Sequence, residues 1–231
     1  MPGLTKLERI IVSCRRCPRL TAFRENVDRR KGAAFRGEKY WGHPVPGFGD
    51  RSGRLLIVGL APAAHGGNRT GRMFTGDGAA GTLMRAMHAA GFAGKPVNLR
   101  RGDGLRLRDA YITAVVKCAP PDSQPTPAEK RRCAGFLVQE LKSLPSVRVL
   151  LALGRTAFES VLPLLADSRD TLAARLPPRR GLPAFRLRPP PLRFVPPQPP
   201  NTSTGPLTPA MLSAVFGRIR AHLAKAGGAR E

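Results

Sequence analysis

Two spacings of apolar residues alternate along this chain. Short, nearly continuous apolar runs occur at "RLLIVGL" (54–60), "DAYITAVVKC" (109–118) and "SVRVLLALG" (146–154). Runs of this length between turn residues predict strands buried on both faces. Between and around them the spacing changes to that of helices. "TKLERIIVSC" places Leu7, Ile10 and Ile11 on one side, and "RLTAFRENVDRRKGAAF" continues as helix and charged loop. "TLMRAMHAAGF" predicts a helix ending near Gly91. "TPAEKRRCAGFLVQELKSL" carries its own start signals: Thr126 as cap, Pro127 in the first turn and Glu129 closing a capping box. "RTAFESVLPLL" and "TPAMLSAVFGRIRAHLAKAG" (208–227) predict two more helices.

Strand, helix, strand, helix, strand, helix is the order of an α/β protein with a parallel sheet and helices on both faces. The chain's 231 residues are expected to form a single domain, 1–231, with no internal repeat. Ligands of such sheets bind beyond the carboxyl ends of the strands. The long Gly-rich loop 61–81 leaves one such end, and Cys118 with the prolines after it leaves another.

One stretch breaks the pattern. Residues 171–200 hold ten prolines and six arginines and no acid. This segment is expected to be irregular or disordered, because a structureless insert of that length is foreign to a compact domain.

Composition adds a partner. Lys plus Arg number 39 against 15 acids, a net charge of +24. A basic surface of this strength attracts phosphate backbones, although a proteome that favours arginine would give the same excess. No apolar run reaches the length of a membrane span, and the N-terminal twenty residues lack the apolar core of a signal peptide. A cytoplasmic protein is expected, associated with the nucleoid in a prokaryote. In that compartment cysteines are poor disulfide partners. Cys14 and Cys17 form one tight pair, while Cys118 and Cys133 stand apart with fourteen residues between them. A four-cysteine zinc site usually shows two tight pairs. A [4Fe–4S] cluster accepts four thiolates at looser spacing, and unrelated reduced thiols are the third reading.

The loop "GLAPAAHGGNRTGRMFTGDGAAG" is too long and too glycine-rich for a connector. It is not a P-loop, since the Lys-Ser/Thr ending is missing. Its small residues let backbone approach a ligand. His65, Asn68 and Arg69 add donors, Phe74 a flat face and Asp77 a carboxylate. Each has a plainer role as well: Asp77 as a helix cap, Phe74 as core, His65 as the brace of a turn.

Taken in order, "CRRCPRL", "YWGHPVPGFGD", "GLAPAAHGGNRTGRMFTGDG", "VVKCAPP", "PTPAEKRRC" and "NTSTGPLTPAM" resemble the type 5 uracil-DNA glycosylases. These are the iron–sulfur, B-type branch of the uracil-DNA glycosylase superfamily. The resemblance implies a three-layer α/β/α sandwich with a central parallel sheet. It implies excision of uracil, and in some members hypoxanthine or other deaminated bases, from double-stranded or single-stranded DNA by a monomer. It assigns Cys14, Cys17, Cys118 and Cys133 to a [4Fe–4S] cluster. The backbone at Leu60, Ala61, Ala63 and Ala64 and the side chain of His65 would line the base pocket. Phe74 would stack on the flipped base, and Asn68 and Asn201 would bind substrate. Asp77 would position water and offset charge on the sugar, because Ala61 or Ala63 stands where other glycosylases carry a water-activating carboxylate or amide. A basic iron–sulfur or zinc protein that binds nucleic acid without catalysis is the competing expectation.

Two departures from the family pattern stand out. Asp122-Ser123-Gln124 replaces a stretch that commonly carries Asn, so an amide facing base or sugar is lost. The family's His-Pro-Ser before "NT" is missing: the histidines are His43, His65, His88 and His222. An allowed codon choice for "FVPPQP" (194–199), shifted by one base, reads Ser-Tyr-His-Pro-Ser. Residues from about 171 to 200 are therefore expected to be an out-of-frame translation of a strand followed by the missing motif.

Overall fold

The computed structural model describes residues 2–76, 78–166, 193–195 and 208–227. Helix α1 (Pro2–Val12) and helix α2 (Pro18–Arg30) lead into a loop and the short strand β1 (Phe48–Gly49). Strand β2 (Leu55–Gly59) is followed by the single turn α3 (Gly67–Thr70) and helix α4 (Gly78–Ala89). Strand β3 (Ala110–Ala114), helix α5 (Pro127–Lys142), strand β4 (Val149–Ala152) and helix α6 (Arg155–Ala166) come next, then strand β5 (Arg193–Val195) and helix α7 (Pro209–Gly227).

The strands form one sheet in the order β1-β3-β2-β4-β5. β2 is central, pairing in parallel with β3 (Ile57↔Ile112) and with β4 (Ile57↔Leu151). The expected parallel sheet therefore holds for four strands. β1 is the exception, an antiparallel edge paired at Phe48↔Ile112 inside a Gly/Pro-rich run that carries no strand pattern. The other correction falls on 171–200. Residues Arg193–Val195 are not irregular: they pair in parallel with β4, at Leu150↔Phe194. The strand expected before residue 201 in the shifted frame stands there instead in the chain as written, at Arg193–Val195. The rest of 171–200, with the shifted-frame motif, lies outside the described residues.

Alternation along the buried strands sends side chains to two cores. Leu56, Val58, Tyr111 and Leu150 face α1, α2, α5 and α6, meeting Leu7, Ile11, Leu20, Phe136 and Val161. Leu55, Ile57, Ile112 and Leu151 face α4 and α7, meeting Met84, Met87, Val215, Phe216 and Ile219. Two apolar layers on one sheet make the three-layer α/β/α sandwich. Burial of each such side chain contributes about 1.5–3 kcal/mol. Among the described residues no helix is long and apolar enough to cross a membrane.

The predicted capping box is present. The Glu129 N–H donates to Thr126 Oγ1 at 3.2 Å, and the Thr126 N–H donates to Glu129 Oε2 at 2.8 Å. The same carboxylate takes a bidentate grip from Arg19 on α2, at 2.8 and 2.9 Å. One local signal at the head of α5 thus fixes a neighbouring helix. At the head of α7, the Met211 N–H donates to Thr208 Oγ1 at 3.2 Å.

Candidate active site

A cleft of about 240 Å³ opens beyond the carboxyl ends of β2 and β3. Its walls come from three stretches: Leu60, Ala61 and Ala63 after β2, Met73 to Thr75 from the glycine-rich loop, and Pro120 with Ser123 after β3. Ala114 forms part of its floor. Two carbonyls at its base are already used, with Val115 N–H donating to Gly59 O and Val116 N–H to Leu60 O, both at 2.9 Å. Among the described residues the N–H groups of Ala61 and Ala63, two of the lining residues, have no acceptor.

Phe74 is held in a demanding conformation. Its φ is +54°, left-handed backbone that bulky residues seldom adopt. Outliers of this kind survive only where their surroundings impose them. The imposing group is Asn98, which is buried and donates from Nδ2 to Met73 O at 3.0 Å and Phe74 O at 2.8 Å. Arg72 Nη1 donates to Asn98 Oδ1 at 3.2 Å and pairs with Asp103 at 2.6 Å. Asp103 in turn accepts from the N–H groups of Leu99 and Leu105, each at 2.9 Å. Burial works to raise its pKa, but these N–H donors and Arg72 overcome it and hold the carboxyl at about 2. Gly59 lies beneath the ring, where a Cβ would stand 2.7 Å from Phe74 Cζ.

Of the residues expected in the site, Leu60, Ala61, Ala63 and Phe74 line the cleft. His65, Ala64 and Asn68 are not among its walls. His65 Nδ1 is 2.9 Å from Tyr40 Oη, and its ring stacks on Phe35 at 6.4 Å between centroids. The side chain thus braces the glycine-rich loop against residues 32–40. Asn68 is buried and donates to Arg24 O at 3.2 Å, while its own carbonyl accepts from Gly42 at 3.0 Å. Its place is a junction between α2 and the loop. Asp77 and Asn201 lie outside the described residues. Ser123 and Thr75, unassigned in the sequence, do line the cleft. Asn98 carried no signal beyond being polar in a loop, because its partners are backbone carbonyls distant in the chain.

Cys14, Cys17, Cys118 and Cys133 line one small cavity, together with Leu20, Lys117 and Phe136. They come from four places: the end of α1, the cap of α2, the segment after β3, and α5. All four are free thiols. Burial pushes Cys118 up to about 12, with the Arg24 guanidinium acting against it, and Cys133 up to about 11, with Lys117 acting against it. The Lys117 N–H donates to Cys133 Sγ at 3.4 Å. Arg24 is 1% exposed, its Nε has no partner among the described residues, and its Nη1 donates to Gly42 O. Its Nη2 lies 3.5 Å from Glu25 Oε1. Among the described residues no three His, Cys, Asp or Glu side chains are placed to share a single metal ion. The four thiols line one cavity.

Residues 46–215 match the uracil DNA glycosylase superfamily. The chain is 56% identical to a type-5 uracil-DNA glycosylase of Thermus thermophilus over 152 residues, 66% of this chain and 68% of the relative. It is 44% identical to a type-5 uracil-DNA glycosylase of Mycobacterium leprae over 93% of both chains. It is 43% identical to that of Mycobacterium bovis over 93% of this chain and 80% of the relative. With its sandwich, its cleft at the strand ends and most of its length inside the match, the chain belongs to the uracil-DNA glycosylase superfamily.

Proposed function

We propose that this protein is a DNA repair glycosylase that takes uracil out of the helix into the cleft and hydrolyses its N-glycosidic bond. The observation that carries the proposal is the pairing of Phe74, fixed in a strained conformation, with the unused N–H groups of Ala61 and Ala63 in one cleft. An everted base needs a flat partner, and Phe74 offers it. Bond cleavage leaves negative charge on the departing base and positive charge on the sugar. Preorganised N–H groups aimed at the base oxygens stabilise that anion without reorganising at the moment of reaction. Asp77 is proposed to position the attacking water and offset the charge on the sugar. His65 serves by holding the loop, through Tyr40. The net charge of +24 supplies attraction to the phosphate backbone.

Cys14, Cys17, Cys118 and Cys133 are proposed to hold a [4Fe–4S] cluster. Four free thiols from four segments at one cavity support this assignment. The cluster supplies a covalent tie among α1, α2, the segment after β3 and α5, and its role is structural. Protein purified without oxygen should contain iron and sulfide in equal amounts. One zinc per chain without sulfide would overturn it.

The deciding experiment is single-turnover cleavage of duplexes carrying uracil, hypoxanthine or no lesion, at stated salt. Uracil release is expected. The Asp77→Asn variant should release uracil more slowly while binding lesion DNA unchanged, as befits a contact made in the transition state. Tight DNA binding without release by the wild-type chain would favour a non-catalytic nucleic-acid-binding protein instead.

A further inference from the structure

We infer that a second cleft, beside the edge strand β1, is a binding site for a phosphate group. It measures about 220 Å³, close to the first in size, and shares no lining residue with it. Its walls include Glu8 of α1, Gly47 and Arg51 on either side of β1, Arg72 after α3, Arg101, and Tyr111 of β3. Sites for drug-sized ligands begin at about 300 Å³, so this cleft suits a small group.

Three arginines and one carboxylate line the cleft. The carboxylate is already taken: Arg51 Nη2 donates to both oxygens of Glu8, at 3.1 and 3.3 Å, and its Nη1 donates to Thr5 Oγ1 at 2.9 Å. Arg72 spends Nη1 on Asn98 and Asp103, while its Nε and Nη2 have no acceptor among the described residues. Its guanidinium lies over Phe48, 5.1 Å from the ring centroid, so the unused donors are held in place. Arg101 is exposed and has no carboxylate partner among the described residues. Trp41 steadies its guanidinium, 5.0 Å from the ring centroid. The walls therefore keep one cation and several N–H donors in excess.

Surface arginines alone are ordinary. The observation that points to a ligand is Tyr111. It is 1% exposed, and its hydroxyl has no hydrogen-bond partner among the described residues. A buried hydroxyl left unsatisfied is costly. Three walls of the cleft border it. A Cβ added at Gly47 would stand 2.9 Å from the hydroxyl oxygen, and the charges of Glu8 and Arg51 both act on it. Burial raises its pKa, with Glu140 and Glu8 adding to the effect and Arg51 opposing it, so the group keeps its proton and remains a donor. A tetrahedral phosphate presents oxygens in several directions and accepts from a hydroxyl and from guanidinium groups at once. Free phosphate and a phosphodiester of a DNA strand offer this same chemistry.

The test uses the full-length protein with two probes, inorganic phosphate and a lesion-free duplex, at an ionic strength held constant with chloride. Titration calorimetry should show saturable binding of inorganic phosphate to the wild type. Tyr111→Phe removes the hydroxyl alone, and Arg101→Gln removes the unpaired cation. Each should weaken phosphate binding about tenfold or more, as loss of a hydrogen bond to a charged group does. Arg131→Gln, at an exposed position of α5, carries the same change of charge as Arg101→Gln and should bind as the wild type does. Without phosphate, Tyr111→Phe should unfold at the wild-type temperature or above, which separates weaker binding from a folding defect. If Tyr111→Phe also weakens duplex binding, and phosphate competes with the duplex, the group held is a DNA phosphodiester. If duplex binding is unchanged, the site takes free phosphate. Either result supports the site. No saturable phosphate binding by the wild type, or equal binding by the wild type and both variants, would overturn it. Neither readout involves release of uracil, so the site is decided independently of the glycosylase reading.

Discussion

A Cβ added at residue 59 would stand 2.7 Å from Cζ of Phe74, so the last residue of β2 and the ring of the glycine-rich loop occupy one space. Glycine at 59 lets the ring lie on the strand end. Gly59→Ala should displace the ring and lower uracil release about as far as Phe74→Ala does. Loss of one base-stacking contact costs about 1–3 kcal/mol. Because both changes act on the same contact, the double variant should be no slower than either single one. Additive losses, measured as single-turnover rates on the uracil duplex, would show that Gly59 acts elsewhere.

Lys117 and Glu140 form an ion pair of 2.7 Å with both side chains 1% exposed. Lys117 Nζ also donates to Ala114 O at 2.9 Å, beneath the cleft floor, and Glu140 accepts from Thr113 Oγ1 at 2.7 Å. Removing one partner leaves a buried charge uncompensated. Glu140→Gln should cost about 3–5 kcal/mol in urea unfolding, and Lys117→Met with Glu140→Leu together should recover much of it. A single variant as stable as the wild type would mean that water reaches the pair.

Asp103 gives a pH signature. Its folded-state pKa, about 2, lies below the ordinary carboxylate value, so the unfolded chain takes up the proton first as pH falls. The stabilisation is complete above about pH 4 and disappears as pH drops through about 2. Asp103→Asn should therefore be ~2 kcal/mol less stable at pH 7, with the gap closing between pH 4 and 2. A gap that stays constant over that range would assign the loss to the turn's geometry and not to its charge.

The segment before Asn201 has its own test. Exchanging residues 194–198 for Ser-Tyr-His-Pro-Ser introduces the histidine that the resemblance implies there. If the written segment is a shifted frame, uracil release should rise on the order of a hundredfold, the worth of a transition-state donor. An unchanged rate would mean that this chain works without that histidine. Reading the coding DNA in the shifted frame checks the same point directly.

Much of the sandwich was legible because burial on both strand faces and on one helix face leaves periodic marks in a single sequence. The capping box at Thr126 was legible for the same reason: both partners lie within one turn. β1 was not, because a two-residue edge strand inside Gly and Pro carries no period. The strand Arg193–Val195 was hidden in a proline-rich run and exists through its pairing with β4. In the site, chemistry and placement came apart. The loop after β2 announced a pocket through its glycines, and Leu60, Ala61, Ala63 and Phe74 are there. His65 and Asn68 are instead spent on Tyr40 and the Arg24 carbonyl. The sequence by itself determined which layers would form and that a cleft would open at the end of β2. Tertiary structure alone decided which side chains line that cleft and what supports them, because Ser123 reaches it from the segment after β3 while Asn98 holds the Phe74 carbonyl from a loop distant in the chain.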